Sequence, residues 1–185
     1  MSFNVLVIPE DPTNNGYILK PLVVRMCAEC GKGAAKVKVL ENPRTQGYEH
    51  AKELIRGSLL EDYRYKDLLL FLVDADGKDR QDEFRRLEKE AEAQGVRLFC
   101  CAAKEEVEVW LLAGHKDRLD RGWREIRNEI SVKERIFEPF LAVHGDSFRA
   151  GGGRDLLMKE TLGNYRALLQ RCPELAELER RLRAL

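Results

Sequence analysis

The side chains of this chain that are best suited to chemistry are carboxylates, and they stand at the ends of two short apolar runs. Glu10 and Asp11 follow Phe3-Asn4-Val5-Leu6-Val7-Ile8-Pro9, and Asp74 and Asp76 follow Asp67-Leu68-Leu69-Leu70-Phe71-Leu72-Val73. Runs of this length, bounded by turn signals, read as strands buried on both faces of a parallel sheet. Open α/β sheets bind their ligands beyond the carboxyl ends of such strands. Two adjacent parallel strands would bring Glu10, Asp74 and Asp76 to one rim. Three crowded carboxylates repel one another unless a cation neutralises them, and hard oxygen ligands suit Mg²⁺ or Mn²⁺. The pattern therefore predicts a metal site held by Glu10, Asp74 and Asp76.

Capping is the competing account. Carboxylates after a strand often accept the orphan N–H groups of the next helix. Asp11 or Thr13 could cap a helix beginning near Asn14, and Asp79 or Asp82 could cap the helix after the second run. Capping explains one carboxylate per strand end. It leaves Asp74 and Asp76 together with Glu10 unexplained.

The elements that must position these groups alternate between strand and helix. Ile18, Leu19, Leu22, Val23 and Met26 give residues 14–29 a helical stripe, which Gly31 and Gly33 end. Strands are expected at 34–40, 67–73 and 96–103, and helices at 48–60 and through Phe84, Leu87 and Ala91. This order implies βαβ units, hence an α/β fold with a mostly parallel sheet of about four strands flanked by helices. A short helix is expected over 105–113, carrying Glu106, Glu108 and Trp110. The chain then turns mainly helical and arginine-rich, with Leu175, Leu178 and Leu182 striping its last helix. The division drawn is an α/β core over 1–115 and a helical extension over 116–185 packed on the same domain. Gly151-Gly152-Gly153 lacks the Lys-Ser/Thr ending of a phosphate loop and reads as a turn.

Composition narrows the function. The 185 residues suit one domain with a real core. The 32 basic and 32 acidic residues cancel, so attraction to nucleic acid has to come from a local patch or a bound metal. No apolar run reaches the ~20 residues that span a bilayer. The start, Met1-Ser2-Phe3-Asn4, lacks a basic segment and predicts no secretory signal. Five cysteines, an odd number, fit a reducing cytoplasm. Cys27 and Cys30 form a Cys-x-x-Cys pair, but Cys100-Cys101 has the wrong spacing to complete a zinc site. They read as small hydrophobes at a helix end.

Several segments together resemble the Toprim family, closest to a small standalone bacterial branch, the DUF4276 family. Val7-Ile8-Pro9-Glu10-Asp11-Pro12-Thr13 followed by Tyr17-Ile18-Leu19-Lys20-Pro21-Leu22 looks like the Toprim glutamate motif. Pro43-Arg44-Thr45-Gln46-Gly47 is similar to that branch's Pro-Arg-x-x-Gly loop, and Val73-Asp74-Ala75-Asp76-Gly77 matches the Asp-x-Asp motif. Glu106-Val107-Glu108-Val109-Trp110-Leu111-Leu112-Ala113 looks like its Glu-x-Glu-x-Trp-Leu-Leu-Ala segment, and Cys172-Pro173-Glu174-Leu175 resembles its tail. The likeness spans most of the chain. It implies a four-stranded Rossmann-like Toprim sheet and Mg²⁺-dependent hydrolysis of phosphodiesters in DNA or RNA, as in nucleases of the OLD type. Relatives in anti-phage defence stand beside an ATPase, which suggests a partner protein. One departure is that Asn14 and Asn15 stand where Toprim nucleases commonly carry a second acidic residue, which puts a second metal in doubt.

The roles that follow are specific. Glu10, Asp74 and Asp76 hold the metal, or Glu10 acts as general base; Glu108 supports the metal or orients water. Lys133 or Lys159 stabilises transition-state charge, with Lys133 preferred. Arg44 is a candidate phosphate ligand on the strand-two rim. Arg118, Arg121, Arg124 and Arg127 either line a backbone-binding face or pair with interleaved Asp117, Asp120, Glu125 and Glu129. Trp110 and Trp123 either stack on bases or belong to the core. Two other readings compete with the nuclease. One is a catalytically weak Toprim-like binding or regulatory subunit; the other is a phosphoacceptor of the response-receiver type, which needs a closing lysine after a fifth strand.

Overall fold

A computed structural model describes residues 2–185. Its centre is a four-stranded parallel sheet made of β1 (Asn4–Pro9), β2 (Lys36–Val39), β3 (Leu68–Asp74) and β4 (Leu98–Ala103), in the order β2-β1-β3-β4. The α/β expectation holds. β1 is followed by α1 (Pro12–Glu29), and β2 by α2 (Tyr48–Leu54), which runs through a π-helical turn at Ile55–Leu59 into a last turn, α3 (Leu60–Asp62). α4 (Gln81–Ala93) connects β3 to β4. Beyond β4 come six α-helices: α5 (Glu108–Leu112), α6 (Trp123–Asn128), α7 (Glu138–His144), α8 (Arg154–Leu162), α9 (Tyr165–Arg171) and α10 (Pro173–Arg183).

The strands are apolar on both faces because helices cover both faces. Period-2 alternation sends Val5, Val7, Leu70, Leu72 and Cys101 to one side, where they pack with Leu19, Val23 and Met26 of α1. Trp110, Met158 and Leu175, from α5, α8 and α10, join that same cluster, so the helical second half shares one core with the strands. Leu6, Ile8, Leu69, Phe71 and Val73 face the other side, against Ala51, Ile55, Leu87 and Ala91. Among the described residues no helix is long and apolar enough to cross a membrane.

Several boundaries differ from the sequence expectation. α1 begins at Pro12, because Asp11 is its N-cap and accepts the Thr13 N–H at 2.9 Å; proline suits the first helical position. β2 and β4 are shorter than 34–40 and 96–103. The α4 N-terminus has no side-chain cap; Asp79 instead accepts the Gln81 N–H at 2.9 Å. The largest difference is at 105–107, which stays out of the helix that starts at Glu108. The Glu105 carbonyl accepts the Ala75 and Asp76 N–H groups at 2.8 and 3.3 Å. The Asp74 carboxylate accepts the Val107 N–H at 2.7 Å. Those bonds draw the segment across the end of β3.

Strand order fixes where a ligand can sit. From β1 the chain moves outward to β2, then returns to place β3 on the other side of β1. The order therefore reverses between β1 and β3, and the crevice beyond their carboxyl ends is the switch point at which open α/β sheets bind ligands. Glu10 follows β1 and Asp74 ends β3.

Candidate metal centre

Asp74, Asp76 and Glu106 each offer a carboxylate oxygen, and these atoms lie within 4.8 Å of one another. β3 fixes Asp74 as its last residue. Asp76 has φ 51°, a left-handed conformation that aspartate tolerates better than most residues. Glu105 holds that turn, because its carboxylate accepts the Gly77 N–H as well. Glu106 comes from the segment laid across β3, and its carboxylate accepts the Lys133 backbone N–H. A Mg²⁺ ion at about 2.0–2.1 Å from its ligands sets their oxygens roughly 3 to 4 Å apart. The all-oxygen donor set is the kind that Mg²⁺ and Mn²⁺ prefer.

Glu10 is beside this trio and does a different job. Its Oε1 accepts the Asp74 N–H at 3.0 Å, linking the end of β1 to β3. Asp74 and Asp76 of the expected set stand with Glu106 as carboxylates close enough to share a cation, and Glu10 braces Asp74 beside them. Glu108, the first residue of α5, is buried beneath the centre at 2 % exposure.

Burial disfavours the charged forms of Glu10, Asp74, Glu106 and Glu108. It is the main cause raising Glu10 to about 7; Asp76 adds to the rise, while the Asp74 N–H, Arg80 and Lys78 oppose it. Asp74 rises to about 8 through burial, then repulsion from Glu10 and Glu108, against the Val107 hydrogen bond. Glu106 rises to about 7, again chiefly by burial, with the Lys133 N–H opposing. Glu108 is raised by burial, against attraction from Lys133 and Arg154. Mutually raised acids in one crevice mark either a proton-handling site or a site that wants a cation.

No protein-family model, curated protein or solved structure matches this chain. The site is therefore read from its own chemistry.

The other candidates separate into those at the rim and those built into the scaffold. Lys133 reaches the centre through its backbone N–H and its charge near Glu108. Arg44 bonds the Thr13 hydroxyl and lies 3.9 Å from Asp11, at the start of α1. Asn15 is buried, and Asn14 is half-buried. Lys159 is exposed near the end of α8. Arg118 pairs with Glu160 at 3.1 Å and Arg121 with Glu125 at 3.2 Å, while Arg124 is exposed. Arg127 grips Glu174 through two bonds of 2.7 and 2.8 Å. Trp110 is fully buried and donates to Glu174 at 2.9 Å; Trp123 donates to the Arg171 carbonyl at 3.2 Å. Both tryptophans serve packing. All five cysteines are free and buried.

Two contributors escaped the sequence reading. Glu105 reads as the first residue of the expected 105–113 helix, and nothing in its neighbours signals that it would hold the Asp76 turn. Arg80 did leave a signal, since it follows Asp76 by four residues. Its Nη2 lies 3.5 Å from Asp76 Oδ2, and its Nε donates to the Asp74 carbonyl at 3.0 Å.

Proposed function

We propose that this chain is a Mg²⁺-dependent nuclease of the Toprim type, hydrolysing phosphodiester bonds in DNA or RNA. The observation that carries the reading is the convergence of Asp74, Asp76 and Glu106 at the β1/β3 switch point, with oxygens within 4.8 Å. The Toprim-like motifs add to it, because those that carry Glu10, Asp74, Asp76 and Glu106 lie together at this rim.

A divalent cation bound there would polarise a phosphoryl oxygen and make water a better nucleophile at neutral pH. The chain's own groups supply the rest. Asp74, Asp76 and Glu106 hold the cation. Glu10 has one oxygen committed to the Asp74 N–H; its second oxygen is the acceptor for the proton of the attacking water. A bound cation would favour the ionised form of Glu10, the form that accepts a proton. Glu108 sits behind the ligands, and Lys133 brings positive charge toward the developing phosphorane. The chain would act in the cytoplasm and, by its likeness to phage-defence relatives, beside an ATPase partner.

The test is cleavage of labelled plasmid DNA and of total tRNA with Mg²⁺ or Mn²⁺, comparing wild type with an Asp74→Ala/Asp76→Ala double variant. Cleavage lost in the double variant and with chelator supports the reading and names the polymer. Cleavage that persists in the folded double variant sinks it.

Asn14 and Asn15 favour a second reading, a Toprim-like binding or regulatory subunit of weak catalytic power. Neither residue supplies a carboxylate for a second ion, and Asn15 is buried. That reading expects Mn²⁺ binding without turnover.

A further inference from the structure

Arg80 is a buried cation at the wall of the acidic centre, and its surroundings fix it without help from its ion-pair partner. Its exposure is 7 %. The guanidinium stacks on the Tyr48 ring at 3.6 Å, and Nε donates to the Asp74 carbonyl at 3.0 Å. Tyr48 is itself held by its bond to Glu83 Oε2 at 2.6 Å. Glu83 is the nearby acid that would be expected to neutralise Arg80, but Lys52 pairs with it. Among the described residues Arg80 has a carboxylate within ion-pair distance only in Asp76. That contact is 3.5 Å long, at the limit of a hydrogen bond, and the Asp76 side chain is 47 % exposed. Asp76 is also one of the three carboxylates close enough to share a cation. A half-exposed carboxylate thus stands between a buried cation and an acidic crevice that repels further negative charge.

We propose that Arg80 is the resident counter-ion of this centre: it neutralises Asp76 in the cation-free protein and yields Asp76 when a divalent cation binds. The inference rests on the metal-centre reading above. The guanidinium stays in place through the exchange, because the Tyr48 face and the Asp74 carbonyl hold it independently of Asp76. Asp76 swings from Arg80 toward Asp74 and Glu106, and the positive charge left behind limits how tightly the cation is held. Arg80 is thus a positioning residue that sets cation affinity.

The test is Mn²⁺ titration of the full chain by calorimetry or electron paramagnetic resonance, with wild type beside Arg80→Gln. Glutamine retains a donor for the Asp74 carbonyl and removes the charge. The folded variant is expected to bind Mn²⁺ on the order of tenfold more tightly, since a like charge a few ångströms from the ion is gone. Binding that is equal or weaker overturns the assignment of Arg80 while leaving the metal centre intact. Absence of Mn²⁺ binding in wild type overturns both. If Arg80→Gln does not fold, ¹⁵N-arginine NMR of the wild type decides. Tyr48 sets the Arg80 signals apart by its ring current. On saturation with Mg²⁺ the Nη groups should rotate faster while the Nε–H signal is retained. Nη signals unchanged at saturating Mg²⁺ overturn the proposal.

Discussion

The carboxylate of Glu10 accepts the backbone N–H of Asp74 at 3.0 Å, so the first strand reaches over and braces the residue that ends the third. This bond uses one oxygen and leaves the other for chemistry. Glu10→Gln keeps an acceptor for the Asp74 N–H, so the variant should fold with little loss of stability. Acting on Asp74 from outside the triad, it should weaken Mn²⁺ binding by about tenfold, the lower end for outer-shell partners. If Glu10 takes the proton of water, its loss should lower kcat roughly 10²–10⁴-fold. Wild-type turnover in Glu10→Gln would remove it from that role.

Asp74→Asn and Glu106→Gln act on the triad itself. Since outer-shell partners alone account for about 10–100-fold in metal affinity, each should weaken Mn²⁺ binding by roughly a hundredfold or more. Glu106→Gln also separates this triad from a grouping centred on Glu10. If Glu106→Gln binds as wild type does while Glu10→Gln loses binding, Glu10 and not Glu106 is the third ligand.

Asp74 and Asp76 were legible in the sequence because a strand end carries its own signal, an apolar run broken by acids. Sheet order was not, yet it is what makes Glu10 and Asp74 neighbours. Glu106 could be noticed but not assigned, because a helical periodicity through 105–113 hides the break at Val107. That break depends on Asp74, which is 33 residues away and captures the Val107 N–H. Arg80 is visible only as a spacing of four from Asp76, and its restraint by Tyr48 comes from another crossover. Local pattern reaches the groups that sit on strands; the groups delivered by tertiary hydrogen bonds lie beyond it. The arginines of 118–127 show the same limit from the other side. As sequence they resemble a phosphate-binding face, and three of them are spent on Glu160, Glu125 and Glu174.

Glu174 is the clearest of these structural acids. It takes both nitrogens of Arg127, and its Oε1 also accepts the Trp110 indole N–H at 2.9 Å. Both members of the ion pair are largely buried, at 14 % and 18 % side-chain exposure. Removing one partner strands the other charge, which in buried pairs costs about 3–5 kcal/mol. Residual exposure places Glu174→Ala nearer ~2–3 kcal/mol, read as a lowered urea midpoint. Mn²⁺ affinity should be unchanged in the folded variant. A change in affinity larger than about threefold would mean that the tail helix reaches the centre energetically.

Stability should depend on pH in a direction set by the raised acids. Asp74 stands at about 8 in the fold against 3.8 when free, and Glu10 and Glu106 at about 7 against 4.5. Between those values the folded chain holds more protons than the unfolded one, so unfolding free energy falls as pH rises. The stabilising contribution is complete below about pH 4, and it is lost as pH climbs through 7 to 8. Burial acts on His115 in the opposite sense, lowering it, so one protein's pH curve mixes several groups. Comparison with Asp74→Asn cancels His115 and leaves the aspartate together with its repulsion of Glu10, because asparagine stays neutral throughout. In EDTA, wild type and Asp74→Asn should melt closest together at about pH 4, below which the aspartate is protonated in both states, and the gap should open as pH rises. At pH 8.5 the variant should melt higher, by roughly 5 °C. Mg²⁺ should restore the wild type at pH 8.5, because a cation that binds only the folded centre stabilises it by mass action. The variant, lacking a ligand, should gain little. Parallel curves for the two proteins in EDTA would show that Asp74 is already ionised in the fold, and the crowded-acid account of this centre would fall with that result.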